Sequence, residues 1–171
     1  MEKITQLSLD QLKIMEVNNS HFDEIWPIFH DVIKDEDTYP YPSDITKEEA
    51  KKLWFAPGAH IYIAYLSNKP VATRYIVPNK VGLGSHVANT GVMIDKKFRG
   101  MGLGKIMMDF AIQKCKELGF KAIQVNLVVC NNLPSIKICQ QYGFKIIGTL
   151  PKAFHYKKTE YVDAYIMYKE L

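Results

Sequence analysis

The sequence has little cysteine, no long apolar run and no concentrated charge. Its three cysteines, Cys115, Cys130 and Cys139, form no Cys-x-x-Cys pair and leave an odd count. All lie in apolar or amphipathic runs, which fits reduced core thiols and argues against a disulfide framework or a metal site. No stretch approaches the roughly 18 apolar residues of a membrane-crossing helix. The start lacks the basic region of a secretory leader, with Glu2 standing where cations belong. Net charge is only +4, and the lysines cluster no further than pairs. That balance suits a small anionic ligand better than a nucleic acid. Internal repeats and low-complexity linkers are missing as well. These absences predict one cytosolic domain over residues 1–171, with 47% hydrophobic residues to supply its core.

What the sequence does have is a concentration of glycine. Residues Phe98 to Lys105 read Phe-Arg-Gly-Met-Gly-Leu-Gly-Lys. Glycines at alternate positions expose backbone N–H groups with no side chain in the way. An apolar strand-like run, Val87 to Ile94, leads in, and a helical run, Ile106 to Leu118, leaves. A helix N-terminus adds unpaired donors and partial positive charge, and Arg99 and Lys105 add full charges. That layout predicts a phosphate site. A P-loop is excluded, because Arg99 occupies its first glycine position and Ile106 its magnesium-binding hydroxyl position. A Rossmann fingerprint is excluded because Lys105 or Met107 falls on its third glycine. Arg-x-x-Gly-x-Gly does fit, at Arg99, Gly102 and Gly104. This segment resembles the pyrophosphate loop of the GNAT N-acetyltransferases, which bind acetyl-CoA.

Periodicity lays out the rest of the chain. Leu12 to Val17 alternates and predicts a first strand. Ser20, followed by Asp23, predicts a helix cap, and Phe22, Trp26, Phe29 and Ile33 then share one apolar face. Pro27 inside this run predicts a kink or a split. Thr38-Tyr39-Pro40-Tyr41-Pro42 predicts a rigid loop with tyrosines able to line a pocket. Thr46 and Glu49 form a capping box for a second helix ending near Phe55. His60–Leu66 and Val71–Val77 predict a hairpin across Ser67-Asn68-Lys69-Pro70. Val87–Ile94 and Ala122–Val129 predict two more strands. Between them Leu103, Met107, Ala111, Cys115 and Leu118 form the buried face of a helix that Gly119 caps. Asn131-Asn132 leads into a short helix with Pro134 in its first turn, ended by Gly143. Lys145–Leu150 and Tyr161–Lys169 predict the last strands, with a loop over Pro151–Glu160. The expected class is α/β: a mixed sheet of six to seven strands flanked by about four helices.

This order matches the GNAT fold over nearly the whole chain, which implies that strands four and five splay apart. A second motif strengthens the resemblance. GNAT proteins follow the fifth strand with Asn, a short helix, a Tyr, then Gly-Phe. Asn132 and Gly143-Phe144 stand at those positions, but the Tyr position holds Cys139. In the family that Tyr is the acid for the departing CoA thiolate. A thiol is a poor donor, so the role does not transfer intact. A CoA thiolate, from a thiol of pKa about 8.5, is already a fair leaving group. Tyr142 is a nearby alternative, whereas a covalent route through Cys139 lacks an identifiable His partner.

The resemblance implies acetyl-CoA as co-substrate, with no metal. It assigns the pyrophosphate to Arg99, Gly100, Met101, Gly102, Leu103, Gly104 and Lys105. It assigns pantetheine and oxyanion contacts to backbone at Val92, Met93 and Ile94, and further cofactor contacts to Asn126, Asn132 and Ser135. The implied chemistry is direct attack of a neutral amine on the thioester, with a backbone N–H holding the oxyanion. No acid stands out as base. Asp95 ends the fourth strand, and Asp163 lies on the last.

Two amides, Asn89 and Asn126, interrupt apolar strands, and a buried Asn must find partners or cost a few kcal/mol. The strings Ser85-His86-Val87-Ala88-Asn89-Thr90-Gly91, Trp54-Phe55-Ala56-Pro57-Gly58 and Gly148-Thr149-Leu150-Pro151 resemble the GNAT subgroup of the fungal proline-analogue acetyltransferases. There an Asn on the fourth strand holds the substrate carboxylate and two later Asn residues serve the acetyl-CoA side. By spacing these fall on Asn89, Asn126 and Asn132. The expected acceptor is therefore a small amino- or imino-acid-like amine, and the expected catalytic set is Asn89, Asn126 and an altered Cys139. Two other readings stay open: a non-catalytic acyl-CoA-binding or sensing module, which Cys139 motivates, and a protein N-terminal or lysine acetyltransferase. Neither a nucleic acid nor a membrane is an expected partner. Exposed Tyr and Phe in the last third leave room for a homodimer.

Overall fold

A seven-stranded sheet organises residues 11–171, the part of the chain that this computed structural model describes. Its strands are β1 (Leu12–Val17), β2 (His60–Leu66), β3 (Lys69–Pro78), β4 (Val87–Ile94), β5 (Ala122–Val129), β6 (Lys145–Tyr156) and β7 (Glu160–Glu170). They lie in the order β1-β2-β3-β4-β5-β7-β6. Every neighbouring pair is antiparallel except β4 and β5, which run parallel. The helices are α1 (Phe22–Lys34), α2 (Lys47–Trp54), α3 (Leu103–Glu117) and α4 (Leu133–Gln141).

Strand alternation sends successive side chains to opposite faces, and each face has its own helices. On one face Ile61, Ile63 and Met93 pack with Phe22, Ile25 and Phe29 of α1 and with Trp54 of α2. On the other, Ala72, Ile76, Ala88 and Ile123 pack with Leu103, Met107, Met108 and Cys115 of α3 and Cys139 of α4. The expected α/β class, strand count and helix count all match.

Local expectations need four corrections. Asn18, not Ser20, provides the side-chain cap at the N-terminal end, and it caps a short 3-10 turn that precedes α1. Pro27 does not split α1, which is continuous from Phe22 to Lys34. An interior proline costs about 3 kcal/mol. Six buried side chains on α1 offset that at about 1.5–3 kcal/mol each. The hairpin turn is tighter than expected: Ser67 and Asn68 take φ values of 49° and 63°, and β3 begins at Lys69. Finally, β6 runs on through Pro151 to Tyr156, so the expected long loop shrinks to a short turn. The proline is tolerated because β6 is the sheet edge, and an irregularity in pairing falls between Leu150 and Phe154.

The feature that positions the site is a fork. β4 and β5 pair only at Val87 with Ala122, Ala88 with Ile123 and Asn89 with Gln124. Beyond Asn89 the strands diverge, although β4 continues to Ile94 and β5 to Val129. Backbone groups on the inner edges of the fork are left available to a ligand, because sheet polar groups need partners.

Candidate active site

The glycine loop follows β4 at the open end of the fork. α3 begins at Leu103, three residues earlier than periodicity alone suggested, with Gly102 as its N-cap at φ 89°. Gly100 is also left-handed, at φ 78°, and a Cβ on either would meet nothing within 4 Å. The space above both glycines is therefore open. No side chain caps the first N–H groups of α3, which leaves them to an external acceptor. Gly104 serves packing instead: a Cβ there would sit 2.8 Å from Ile138 Cδ1, so its absence lets α4 approach α3. Leu103 is buried, Met101 half-buried, and Arg99 and Lys105 are exposed. Arg99 Nη1 lies 3.7 Å from Asp35 Oδ2, and Lys96 Nζ lies 2.7 Å from Asp35 Oδ1. These donors, open glycines and cations fit a diphosphate.

The crotch of the fork is stitched by amides on the α1/α2 face. Asn89 Nδ2 donates to the Gln124 carbonyl oxygen at 2.9 Å, and Tyr75 Oη donates to Asn89 Oδ1 at 3.0 Å. Burial pushes the Tyr75 hydroxyl well above its ordinary pKa, so it remains a donor. On β5, Gln124 Nε2 donates to Asn126 Oδ1 at 3.0 Å, and Asn126 Nδ2 donates to Asn79 Oδ1 at 2.7 Å. Asn126 is exposed, so it is not the buried amide its apolar neighbours suggested.

Tyrosines wall this crotch. Tyr39 Oη donates to the Val92 carbonyl oxygen at 2.9 Å, inside the fork. Tyr39 and Tyr41 stack at 5.7 Å between centroids, and Tyr75 meets Trp54 edge-on at 5.0 Å. Their approach depends on Gly91: a Cβ there would lie 2.5 Å from Tyr75 Cε1 and 2.7 Å from Tyr39 Oη.

The loop that carries Tyr39 and Tyr41 is pinned at its start. Lys158, in the β6–β7 turn, pairs with Glu36 at 2.5 Å and donates to Ser43 Oγ at 2.9 Å. The Lys157 N–H donates to the Glu36 carbonyl oxygen at 2.8 Å, and Ser43 Oγ donates to the Glu36 carboxylate. Adjacent acids thus tie the loop to two places, Asp35 to the glycine-loop region and Glu36 to the β6–β7 turn.

The remaining expected residues fall elsewhere. Asn132 Oδ1 accepts the Ser135 N–H at 3.3 Å, so Asn132 caps α4. Met93 is buried against α1 and α2, while Val92 and Ile94 pack toward α3. Cys139 is buried in the core under α3 and α4, and burial pushes its thiol pKa up. Tyr142 Oη donates to Asp109 Oδ2 at 2.8 Å, so that hydroxyl is engaged by α3. Asp163 Oδ1 accepts the Lys152 N–H at 2.9 Å, and Asp95 Oδ1 accepts the Lys97 N–H at 2.9 Å. Asp95 therefore caps the turn after β4, and Asp163 holds the irregularity of β6 from the neighbouring strand. No group of three potential metal-ligating side chains occurs among the described residues.

The fold recurs in known proteins. The model of the Acetyltransferase (GNAT) family matches residues 22–144. The chain belongs to the GNAT acetyltransferase family. It is similar to the L-amino acid N-acetyltransferase AaaT of Escherichia coli, with 33% identity over 129 residues, covering 75% of this chain and 77% of that one. It is also similar to the N-acetyltransferase aca1 of Schizosaccharomyces pombe, with 29% identity over 146 residues, covering 75% and 70%. A solved GCN5-related N-acetyltransferase from Kribbella flavida superposes with a TM-score of 0.88 at 31% identity, covering 96% of this chain and all of its own. The chain is thus a GNAT enzyme, an N-acetyltransferase dependent on acetyl-CoA. No helix among the described residues is long and apolar enough to cross a membrane.

Sequence reasoning missed Tyr75, Asn79, Gln124 and Arg74 as neighbours of the fork. Arg74 had a visible signal, a cation inside the apolar run Val71–Val77, of the same kind that drew attention to Asn89. Asn79 had none, because only the fold brings that loop residue onto β5.

Proposed function

We propose that this GNAT enzyme acetylates the amine of a small amino- or imino-acid-like acceptor, which lies on the α1/α2 face of the fork. The observation that carries the reading is Asn89. A carboxamide has two N–H donors and one carbonyl oxygen. Asn89 has Oδ1 satisfied by Tyr75 and one N–H satisfied by Gln124. One oriented N–H is left at the crotch for an acceptor carboxylate. The tyrosine wall favours a small acceptor over a protein lysine, and the name of the E. coli relative points the same way.

Acetyl-CoA, as co-substrate, would have its diphosphate at Gly100, Gly102 and the N-terminus of α3, and its pantetheine between β4 and β5. A neutral amine then attacks the thioester carbonyl carbon. Backbone N–H groups of Val92 and Ile94, which the β3–β4 register turns away from β3, are the candidate donors for the oxyanion. Orientation within the fork supplies much of the rate gain. Cys139 is a weak acid in this arrangement, because burial holds its proton more tightly.

Steady-state release of CoA thiol with a panel of amino and imino acids tests the reading. Turnover on at least one supports it. Binding of acetyl-CoA with no turnover on any of them, alongside turnover on peptide amines, overturns it.

A further inference from the structure

Arg74 is the buried group that the reaction above does not use. Alternation on β3 places it with Ala72 and Ile76 on the α3/α4 face. Its backbone pairs with Val92, and its Nη1 donates to Thr90 Oγ1 at 2.8 Å. Thr90 is the first residue of β4 past the last β4–β5 rung. The guanidinium therefore reaches the fork just where it opens, on the opposite face from Asn89.

This cation is only 1% exposed, and its Nε has no hydrogen-bond partner. No acid among the described residues pairs with it. Burial lowers its pKa to about 10, which still leaves it charged at neutral pH. Buried charges are ordinarily paired, because desolvation is expensive. An unpaired one at the mouth of a ligand slot calls for an anion that arrives with the ligand. The diphosphate belongs to the glycine loop beyond Ile94, and an acceptor carboxylate belongs to Asn89 on the other face. The remaining negative charge is the one the reaction makes on sulfur. Cys139, at the family's acid position, lies near enough for the Arg74 charge to oppose the effect of burial on its thiol.

We propose that Arg74 stabilises the departing CoA thiolate, replacing with a fixed positive charge the proton that a tyrosine at position 139 would supply. The inference rests on acetyl-CoA lying in the fork as described under the proposed function. In the step, the amine lone pair forms the N–C bond, and the C–S bond breaks with its electron pair left on sulfur. The amine proton goes to solvent. The thiolate stays beside Arg74 until water protonates it. No proton donor on α4 is needed.

The test compares CoA with desulfo-CoA as ligands, by calorimetric titration between about pH 7 and about pH 9, a range that spans the ordinary thiol pKa of about 8.5. Wild-type protein should prefer CoA increasingly as pH rises, by about tenfold at the upper end. That corresponds to a bound thiol pKa lowered by about one unit, readable from ultraviolet thiolate absorbance. Arg74→Met should abolish the preference while leaving desulfo-CoA affinity within about twofold, and Arg74→Lys should retain part of it. Should Arg74→Met fail to fold, Arg74→Gln gives the same reading. An unchanged bound-thiol pKa in a folded variant that binds desulfo-CoA normally overturns the role of Arg74 alone. Failure of wild type to bind either compound overturns the cofactor placement, and this inference with it.

Discussion

The Tyr75 hydroxyl donates to Asn89 Oδ1 at 3.0 Å and so fixes which way the Asn89 amide points. With the oxygen held by Tyr75, the amide nitrogen faces β5, where it donates to the Gln124 carbonyl oxygen at 2.9 Å. A side chain thus continues the sheet across the point where β4 and β5 part. The bond also orients the free N–H of that amide. Removing the Tyr75 hydroxyl should leave the fold intact but loosen the amide. Tyr75→Phe is expected to raise the acceptor KM about tenfold, the equivalent of one hydrogen bond at about 1–1.5 kcal/mol. The KM for acetyl-CoA should not move. Initial-rate kinetics with each substrate varied in turn separate the two.

Gly102 has the strictest backbone requirement in the glycine loop, at φ 89°. A side chain in that conformation costs about 1–2 kcal/mol. It would also stand over the uncapped N–H groups of α3. Gly102→Val should therefore raise the KM for acetyl-CoA at least about tenfold with a smaller change in kcat. A folded Gly102→Val protein with an unchanged KM would remove the diphosphate from this turn.

Arg74 should be a stability liability. Its folded pKa is depressed to about 10, so between there and the ordinary guanidinium range the unfolded chain binds more protons. Stability therefore rises with pH across that window, and below it the full cost of the buried charge is present. Arg74→Met removes the cost. Thr90 keeps a partner, because its Oγ1 still donates to the Tyr75 carbonyl oxygen at 2.6 Å. The expected gain is about 1–3 kcal/mol, or several degrees in Tm. Calorimetric unfolding measures it, and a loss of stability would mean that Arg74 holds the core together.

The Glu36–Lys158 pair sets a pH range for the loop that carries Tyr39. The Lys158 bond holds the Glu36 carboxyl below its ordinary value of 4.5, and Glu36 holds the Lys158 ammonium above its ordinary 10.5. The carboxylate contribution is full above 4.5 and is lost as pH falls through the lowered folded value. The ammonium contribution is full below 10.5 and is lost as pH rises through the raised folded value. The latch should therefore hold throughout the neutral range and open only in acid or strong base. Hydrogen exchange of residues 36–45 should rise on acidification and, at neutral pH, in Glu36→Gln. No change in Glu36→Gln would show that the backbone contact of Lys157 with Glu36 holds the loop by itself.

The fold was legible because its signals were local. The capping box at Thr46 and Glu49 is present as read, and the alternation of β1 and the apolar runs of β2 to β5 fall within a residue or two. Pro151 looks like a strand terminator, and nothing local reveals that β6 is an edge strand that runs on to Tyr156. The glycine turn was legible because glycine marks left-handed backbone, seen at Gly100 and Gly102. The fork's neighbours were not. Tyr75, Asn79 and Arg74 reach β4 and β5 from other parts of the chain, and a pattern along one strand carries no information about its neighbours across the sheet.

The central claim is that the oriented amide of Asn89 receives the acceptor's carboxylate. The most direct measurement is kcat/KM for a turned-over amino acid against its own carboxamide, in wild type and in Asn89→Ala. Wild type should favour the free acid by about tenfold to a hundredfold, as expected for a charged hydrogen bond of about 1.5–3 kcal/mol. Asn89→Ala should erase most of that preference by slowing the acid and not the carboxamide. An equal preference in both proteins would contradict the assignment.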